Sequence, residues 1–340
     1  LKRLLILALG AATLGAPALS QGLDGGERAR SVDSMRDYIL ARRAEAGEPG
    51  DTRIVGGRPA DEGEWPAAVS LHDTATLDET GGDFFLSELC GGTIITQDWI
   101  LTAAHCLVDE DGQVKPADAL VVRSASNSIY DGNVNLAAEF VVHEDYDPWT
   151  LDNDIALIRL AQPIYGGAGT DTIPLIPQGA VIPNAPAMVV GWGMLDDGTF
   201  PPVLMETDIN VVPNATCDTG MAEEARKQVG GVLLDLGDIN NIPMDALEQA
   251  FQILASNIGP ALSQNMICAG IPSGARSSCS GDSGGPLMMQ ATDGTWVQVG
   301  IVSWGREALD AEHRCAHPNL YAVYTRLSNY FDWIAGHVEG

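Results

Sequence analysis

The sequence is short of basic residues: 18 Lys and Arg stand against 46 Asp and Glu, for a net charge of −28. The shortage is uneven. Residues 1–53 hold 8 basic and 7 acidic side chains, so the excess negative charge falls on residues 54–340. A surface this acidic repels phosphate backbones and anionic headgroups, which excludes nucleic acid and membrane as expected partners. Aromatic residues are also scarce, at 6%. After the first 19 residues no apolar run approaches the roughly 20 residues that a membrane-spanning helix needs. The Cys-x-x-Cys and paired-His spacings of zinc sites are missing too. Neither a metal nor a cofactor is expected.

Glycine and proline are plentiful, at 38 and 19 of 340 residues, and 45% of the chain is apolar. That composition describes a turn-rich globular protein long enough to bury a core, as one large domain or two small ones. The even cysteine count fits an oxidising compartment, and by itself leaves the pairing open. Lys2-Arg3, the apolar run Leu4–Leu14 and the small residues up to Ser20 read as a secretory signal over residues 1–20. The protein is therefore expected outside the cytoplasm, extracellular or periplasmic. Residues 21–53 are polar, carry Arg28, Arg30, Arg36, Arg42, Arg43 and Arg53, and lack a core-forming pattern. They read either as a flexible tail or as a pro-segment ending at Arg53.

The chemistry centres on Ser277-Ser278-Cys279-Ser280-Gly281-Asp282-Ser283-Gly284-Gly285-Pro286-Leu287. A serine flanked by glycines reads as a nucleophile on a tight turn, where the backbone N–H groups can meet a developing oxyanion. Gly281-x-Ser283-x-Gly285 also fits the strand–turn–helix elbow of α/β-hydrolases. That elbow requires a helix next, whereas Leu287-Met288-Met289, a turn at Asp293-Gly294 and Trp296–Val299 have a strand pattern. Upstream lie Thr102-Ala103-Ala104-His105-Cys106 and Asp152-Asn153-Asp154-Ile155-Ala156-Leu157. A serine hydroxyl needs a base to take its proton, and an imidazole titrating near neutrality suits that task.

With Ile54-Val55-Gly56-Gly57 and Ser303-Trp304-Gly305, these motifs make the sequence resemble the chymotrypsin family of serine proteases over about residues 54–338. The resemblance implies an all-β fold of two antiparallel six-stranded β-barrels around an interfacial active site, with a C-terminal helix. It implies a protease domain over residues 54–340 that acts on protein or peptide substrates. It assigns His105, Asp154 and Ser283 to catalysis and the N–H groups of Gly281 and Ser283 to the oxyanion hole. Asp154 is preferred to Asp152 because Ile155-Ala156-Leu157 follow it directly. The disulfides implied are Cys90–Cys106, Cys217–Cys268 and Cys279–Cys315. Cleavage after Arg53 would free Ile54, whose ammonium would pair with Asp282 and order the site. A catalytically inactive binding homologue is the alternative, disfavoured because His105, Asp154 and Ser283 are all present. Calcium is not expected, since Ser124–Asn135 offers only Asp131 as an acid.

Substrate binding would involve Ser277, Ser303, Trp304, Gly305 and Ala322. Ser277 stands six residues before Ser283, at the pocket floor of the family. It carries no charge, so a large apolar residue is expected before the scissile bond, and an activating trypsin-like protease is needed at Arg53. The rival is basic specificity supplied by Asp310 and Glu312 in the long loop Arg306–Arg314.

Strand-like runs occur at Ala67–Leu71, Thr93–Ile95, Leu120–Val122, Phe140–Val142 and Ile155–Leu160, and would form the first barrel. Ala187–Val190, Asp208–Val212, Met266–Cys268, Gly285–Met289, Val297–Ser303 and Ala322–Thr325 would form the second. A closing helix is predicted over Asn329–Val338, with Ser328 as its cap. Two stretches exceed the family pattern, Thr74–Glu88 and Thr219–Leu262. In the second, Pro243 opens a run with Leu247, Phe251, Leu254 and Ile258 at helical spacing.

Overall fold

The computed structural model describes residues 57–339 except 110, 167–168, 196 and 307–314. The expected signal and pro-segment, with Arg53 and Ile54, lie outside the described residues, as do Asp310 and Glu312. Six strands close the first barrel in the order β2 (Ala68–Asp73), β3 (Glu88–Ile94), β4 (Trp99–Thr102), β7 (Ala156–Leu160), β6 (Asn133–Val142) and β5 (Leu120–Ser124). The second ring runs β9 (Met205–Val212), β10 (Met266–Gly270), β13 (Ala322–Arg326), β12 (Trp296–Trp304), β11 (Pro286–Gln290) and β8 (Pro186–Gly191), and β8 pairs with β9 to close it. The short β1 (Arg58–Pro59) adds to β9 from outside. All of these pairings are antiparallel, and the expected two-barrel architecture is the one observed.

Closure leaves no open sheet edge and places one face of every strand inside. Leu71, Ile100, Leu101, Ile155 and Leu157 of the first barrel and Val189, Leu287, Ile301 and Tyr324 of the second are all buried in one continuous core. Burying each such large apolar side chain contributes about 1.5–3 kcal/mol. Cross-barrel contact is direct, since the Gly91 N–H of β3 donates to the Ser283 carbonyl at 2.7 Å.

Register decides where the functional residues fall. Leu101 pairs with Leu157 and Thr102 with Ala156 on β4 and β7. His105 lies just past the end of β4, and Asp154 just before the start of β7. Neighbouring antiparallel strands therefore deliver both residues to the same end of the barrel. A short 3-10 turn, Ala104–Cys106, carries His105.

β4 is not among the strand-like runs expected from the sequence, and Thr74–Glu88 was expected only to exceed the family pattern. That stretch contains α1 (Thr74–Thr80), capped by Asp73 through Thr76 N–H, and α2 (Phe84–Ser87), capped by Asp83. The helix opened by Pro243 is observed as α4 (Met244–Ser256). Before it stands α3 (Asn214–Asn240), 27 residues long, which makes the insertion a helical hairpin. The closing helix, α5 (Phe331–Val338), starts later than predicted. Ser328 is not its cap: it sits in a 3-10 turn, Leu327–Asn329, and Tyr330 occupies the cap position without a side-chain bond.

Candidate active site

Oδ2 of Asp154 lies 2.8 Å from Nδ1 of His105, and its Oδ1 accepts the His105 backbone N–H at 3.0 Å. Two contacts to one carboxylate fix both the ring and the turn that bears it. Ser303 Oγ donates to Oδ2 at 2.5 Å, and Thr325 Oγ1 donates to the Asp154 carbonyl at 2.6 Å. The first barrel's aspartate is thus gripped by two strands of the second barrel. Asp154 is wholly buried. Burial pushes its carboxyl up, but the charge and ring N–H of His105, the Ser303 hydroxyl and the His105 backbone N–H together hold it below the ordinary carboxylate range. Asp152, two residues away, turns elsewhere and accepts from Ser263 Oγ at 2.6 Å. With Nδ1 engaged by Asp154, the buried Nε2 of His105 has no hydrogen-bond partner among the described residues.

Ser283 occupies a turn made by glycine conformations. Gly281 has φ +98° and Gly284 has φ +80°, both in the left-handed region that residues with a Cβ rarely enter. A Cβ on Gly284 would also lie 2.5 Å from the Gly91 carbonyl oxygen. Gly284 N–H donates to the Val302 carbonyl at 2.8 Å, which joins the turn to β12. The Asp282 carboxylate accepts from Gly193 N–H and from Cys279 N–H, each at 2.8 Å. These bonds set the backbone on either side of Ser283, and so the directions of the Gly281 and Ser283 N–H groups.

Among the pocket candidates, Ser277 is buried and its hydroxyl has no partner among the described residues. Beside it, Ser278 Oγ lies 3.0 Å from the hydroxyl of buried Tyr324. Burial pushes the Tyr324 phenol above its usual range, so this pair is neutral. Ala322 is buried in β13, whereas Gly305 is exposed and has open space where a Cβ would project. Trp304 is partly exposed and carries Arg306 near its ring face. The nearby cation Arg276 is paired with Asp208. The three disulfides are Cys90–Cys106, Cys217–Cys268 and Cys279–Cys315. The first ties the His105 turn to β3, and the third ties the Ser283 turn to the segment entering β13.

Sequence motifs did not point to Thr325, Gly91 or Gly193. Thr325 and Gly91 act through atoms that meet only once strands pair, and no local pattern marks them. Gly193, in Gly191-Trp192-Gly193, carried a readable signal: two glycines bracketing a buried tryptophan after a strand.

The trypsin family model matches residues 54–334. Over 289 residues the chain is 31% identical to transmembrane protease serine 11C of Mus musculus, covering 83% of this chain and 53% of that protein. It is 32% identical over 311 residues to the serine proteinase stubble of Drosophila melanogaster, covering 88% and 33%. Against a tryptase of Mus musculus, identity is 31% over 289 residues, covering 84% and 88%. The chain thus spans about half of the first relative, a third of the second and most of the third. Among the described residues, no helix is long and apolar enough to cross a membrane.

Proposed function

The chain belongs to the trypsin family, and from that premise we propose that it is a serine endopeptidase, secreted behind a signal at 1–20 and activated by cleavage after Arg53. The observation that carries this reading is the buried His105–Asp154 pair, 2.8 Å across, at the same junction as the glycine-shaped Ser283 turn. In this mechanism Ser283 Oγ attacks the scissile carbonyl while His105 Nε2 takes its proton. Asp154 holds the ring by Nδ1 and stabilises the imidazolium that forms. The carbonyl oxygen, now negative, is met by the N–H groups of Gly281 and Ser283. Each such donor is worth about 3–4 kcal/mol of transition-state stabilisation. His105 then gives the proton to the leaving amine, and the acyl-enzyme ester is hydrolysed by the reverse sequence with water as nucleophile.

Activation follows from Asp282. A new ammonium at Ile54 would pair with the carboxylate that already orients the turn through Gly193 and Cys279. The ammonium would add a charge-assisted bond to the two N–H bonds that hold this carboxylate, and so fix the turn more firmly. The neutral surroundings of Ser277 support preference for a large apolar residue before the scissile bond, with Gly305 leaving the mouth open and Ala322 forming wall. Trp304 and its neighbours on β12 would pair with substrate backbone as an added strand.

Labelling with a fluorophosphonate tests the reading. Mature protein beginning at Ile54 should be labelled and proteolytic, and Ser283→Ala should fold, lose the label and lose activity by orders of magnitude. Inhibitor-sensitive proteolysis retained by Ser283→Ala would refute the mechanism.

A further inference from the structure

The hairpin α3–α4 is built into the barrel only at its base. Cys217 is bonded to Cys268, Asp218 accepts the N–H groups of Ala261 and Leu262 at 2.7 and 3.0 Å, and buried Glu224 accepts from Asn319 Nδ2 at 3.0 Å. Past Glu224, Gly237 is the one buried residue of α3. There α4 supplies the neighbours: a Cβ on Gly237 would run into Leu247, and one on Gly230 would meet the Phe251 ring at 3.6 Å. Gly230 and Gly237 are seven residues apart and mark the face that α4 covers.

A second stripe has the same periodicity and, past half-buried Val229, is exposed among the described residues. Val229, Val232, Leu236 and Ile239 are spaced three, four and three residues apart, the a/d pattern of a helix that packs on another helix. At about 100° per residue this stripe lies roughly a third of a turn from the glycine face. Val232 is 39% exposed, Leu236 45% and Ile239 63%. Apolar side chains so placed mark an interaction surface.

Charge identifies the kind of partner. From Gln228 to Ala275 the charged residues are Asp235, Asp238, Asp245 and Glu248, and there is no Lys, Arg or His; of the two cations just before this range, Lys227 is paired with Glu224 and Arg226 is exposed. Anionic lipid is repelled by such a surface. A second copy would bring two chains of −28 together. We propose that the Val229–Ile239 stripe is a docking site for an amphipathic helix of a partner protein whose apolar face is flanked by Lys or Arg. Helix-in-groove recognition supplies the apolar contact, and the acidic surroundings select the basic flanks. The hairpin's two feet join the barrel near the candidate site. One foot packs on Asn319–Tyr321, which leads into Ala322; at the other, Ser263 and Asn265 bond to Asp152 and Asn153, just before Asp154.

The test uses the full chain with Ser283→Ala, so that the probe is not cut. The probe is a fluorescent peptide of about three heptads with Leu at a and d and Lys elsewhere; the control peptide has Glu in place of Lys. Anisotropy at about 0.15 M salt limits long-range attraction. Saturable binding of the Lys peptide, no binding of the Glu peptide, and about tenfold or greater loss in Val232→Asp/Ile239→Asp are expected. General attraction of a cation to an acidic chain predicts the opposite, because that variant is more negative; equal or tighter binding overturns the proposal. Equal binding of the two peptides overturns it as well. So does sedimentation showing a dimer that the variant abolishes, which would make the occupant a second copy. Should circular dichroism show that the Asp variant loses helix, Val232→Ser/Ile239→Ser decides by the same tenfold criterion, with turnover of a short peptide by its Ser283 form unchanged.

Discussion

The backbone N–H of Gly193 donates to Oδ1 of Asp282 at 2.8 Å, across 89 residues of sequence. The carboxylate fits this position because residue 193 has no side chain: a Cβ there would lie 2.5 Å from the Asp282 Cγ. A Cβ on Gly191 would run into the same Asp282 carboxylate. Asp282, the residue before Ser283, is therefore seated in a slot made by the end of β8 and the residues just after it.

Gly193→Ala should push that carboxylate off its donors and tilt the Ser283 turn. Losing the alignment of an oxyanion donor lowers kcat by about 100-fold or more. The fold is held mainly by the two barrel cores, so cooperative thermal unfolding should persist. Calorimetry beside steady-state kinetics checks this, and an unaltered kcat/KM in Gly193→Ala would contradict it.

Gly284→Ala should be costly in stability as well as activity. It forces a Cβ into φ +80° and against the Gly91 carbonyl that lines the inter-barrel contact. A strained residue of this kind costs about 1–3 kcal/mol before the clash is counted. Gly294 provides the comparison, with φ +89° but nothing within 4 Å of its Cβ position. Denaturant unfolding should show Gly284→Ala to be clearly the less stable of the two variants; equal midpoints would show that the close approach does not matter.

What the sequence disclosed about this site came from short runs in which function crowds several unusual residues together, such as Gly281-Asp282-Ser283-Gly284 and Ala104-His105-Cys106. Partners that reach the site through paired strands left no local trace, so Thr325 and Gly91 emerged only with the fold. β4 was missed because Trp-Ile-Leu-Thr is buried throughout and has no alternation to read. The whole of α3 was missed for another reason. Gly220, Gly230, Gly231 and Gly237 each weaken a helix by about 1 kcal/mol relative to alanine, and packing of Asn319, Phe251 and Leu247 against Gly220, Gly230 and Gly237 offsets three of them. The Pro243 helix, by contrast, followed from periodicity, and the two barrels from the resemblance to a family.

Ser303→Ala should sensitise the protein to acid. Asp154 has its folded pKa depressed, so its contribution to stability is present above the unfolded value, about 4, and is lost as pH falls through the folded value. The Ser303 hydroxyl is one of the groups that depress it. Without that donor the folded pKa rises, the window of stability narrows from its acid side, and unfolding should begin at higher pH than in the parent protein. Tryptophan fluorescence followed during acid titration of inactive Ser283→Ala protein, with and without Ser303→Ala, measures the difference. Superimposable acid limbs would mean that the 2.5 Å contact does not influence Asp154.

On the proposed function, selectivity and activation would be linked through Ser277. A substrate Lys or Arg entering the pocket would leave water and meet the uncharged Ser277, Ser278 and Tyr324 hydroxyls, and an ion buried without a counter-charge is strongly disfavoured. Peptides with Phe, Tyr, Leu or Met before the scissile bond should therefore have the higher kcat/KM. The extra methyl of Ala322 should adjust preference among those four by about 1–3 kcal/mol. An enzyme with that pocket cannot cut efficiently after its own Arg53. The purified precursor should stay intact when incubated alone, become active on adding a trace of a trypsin-like protease, and resist that treatment as Arg53→Gln. Ser277→Asp should raise the kcat/KM ratio of Arg to Phe substrates, because it puts a carboxylate at the floor. Preferential cleavage after Arg by the parent enzyme, together with self-activation of the pure precursor, would show that a charge from elsewhere in the chain reaches the pocket and that Ser277 does not set its selectivity.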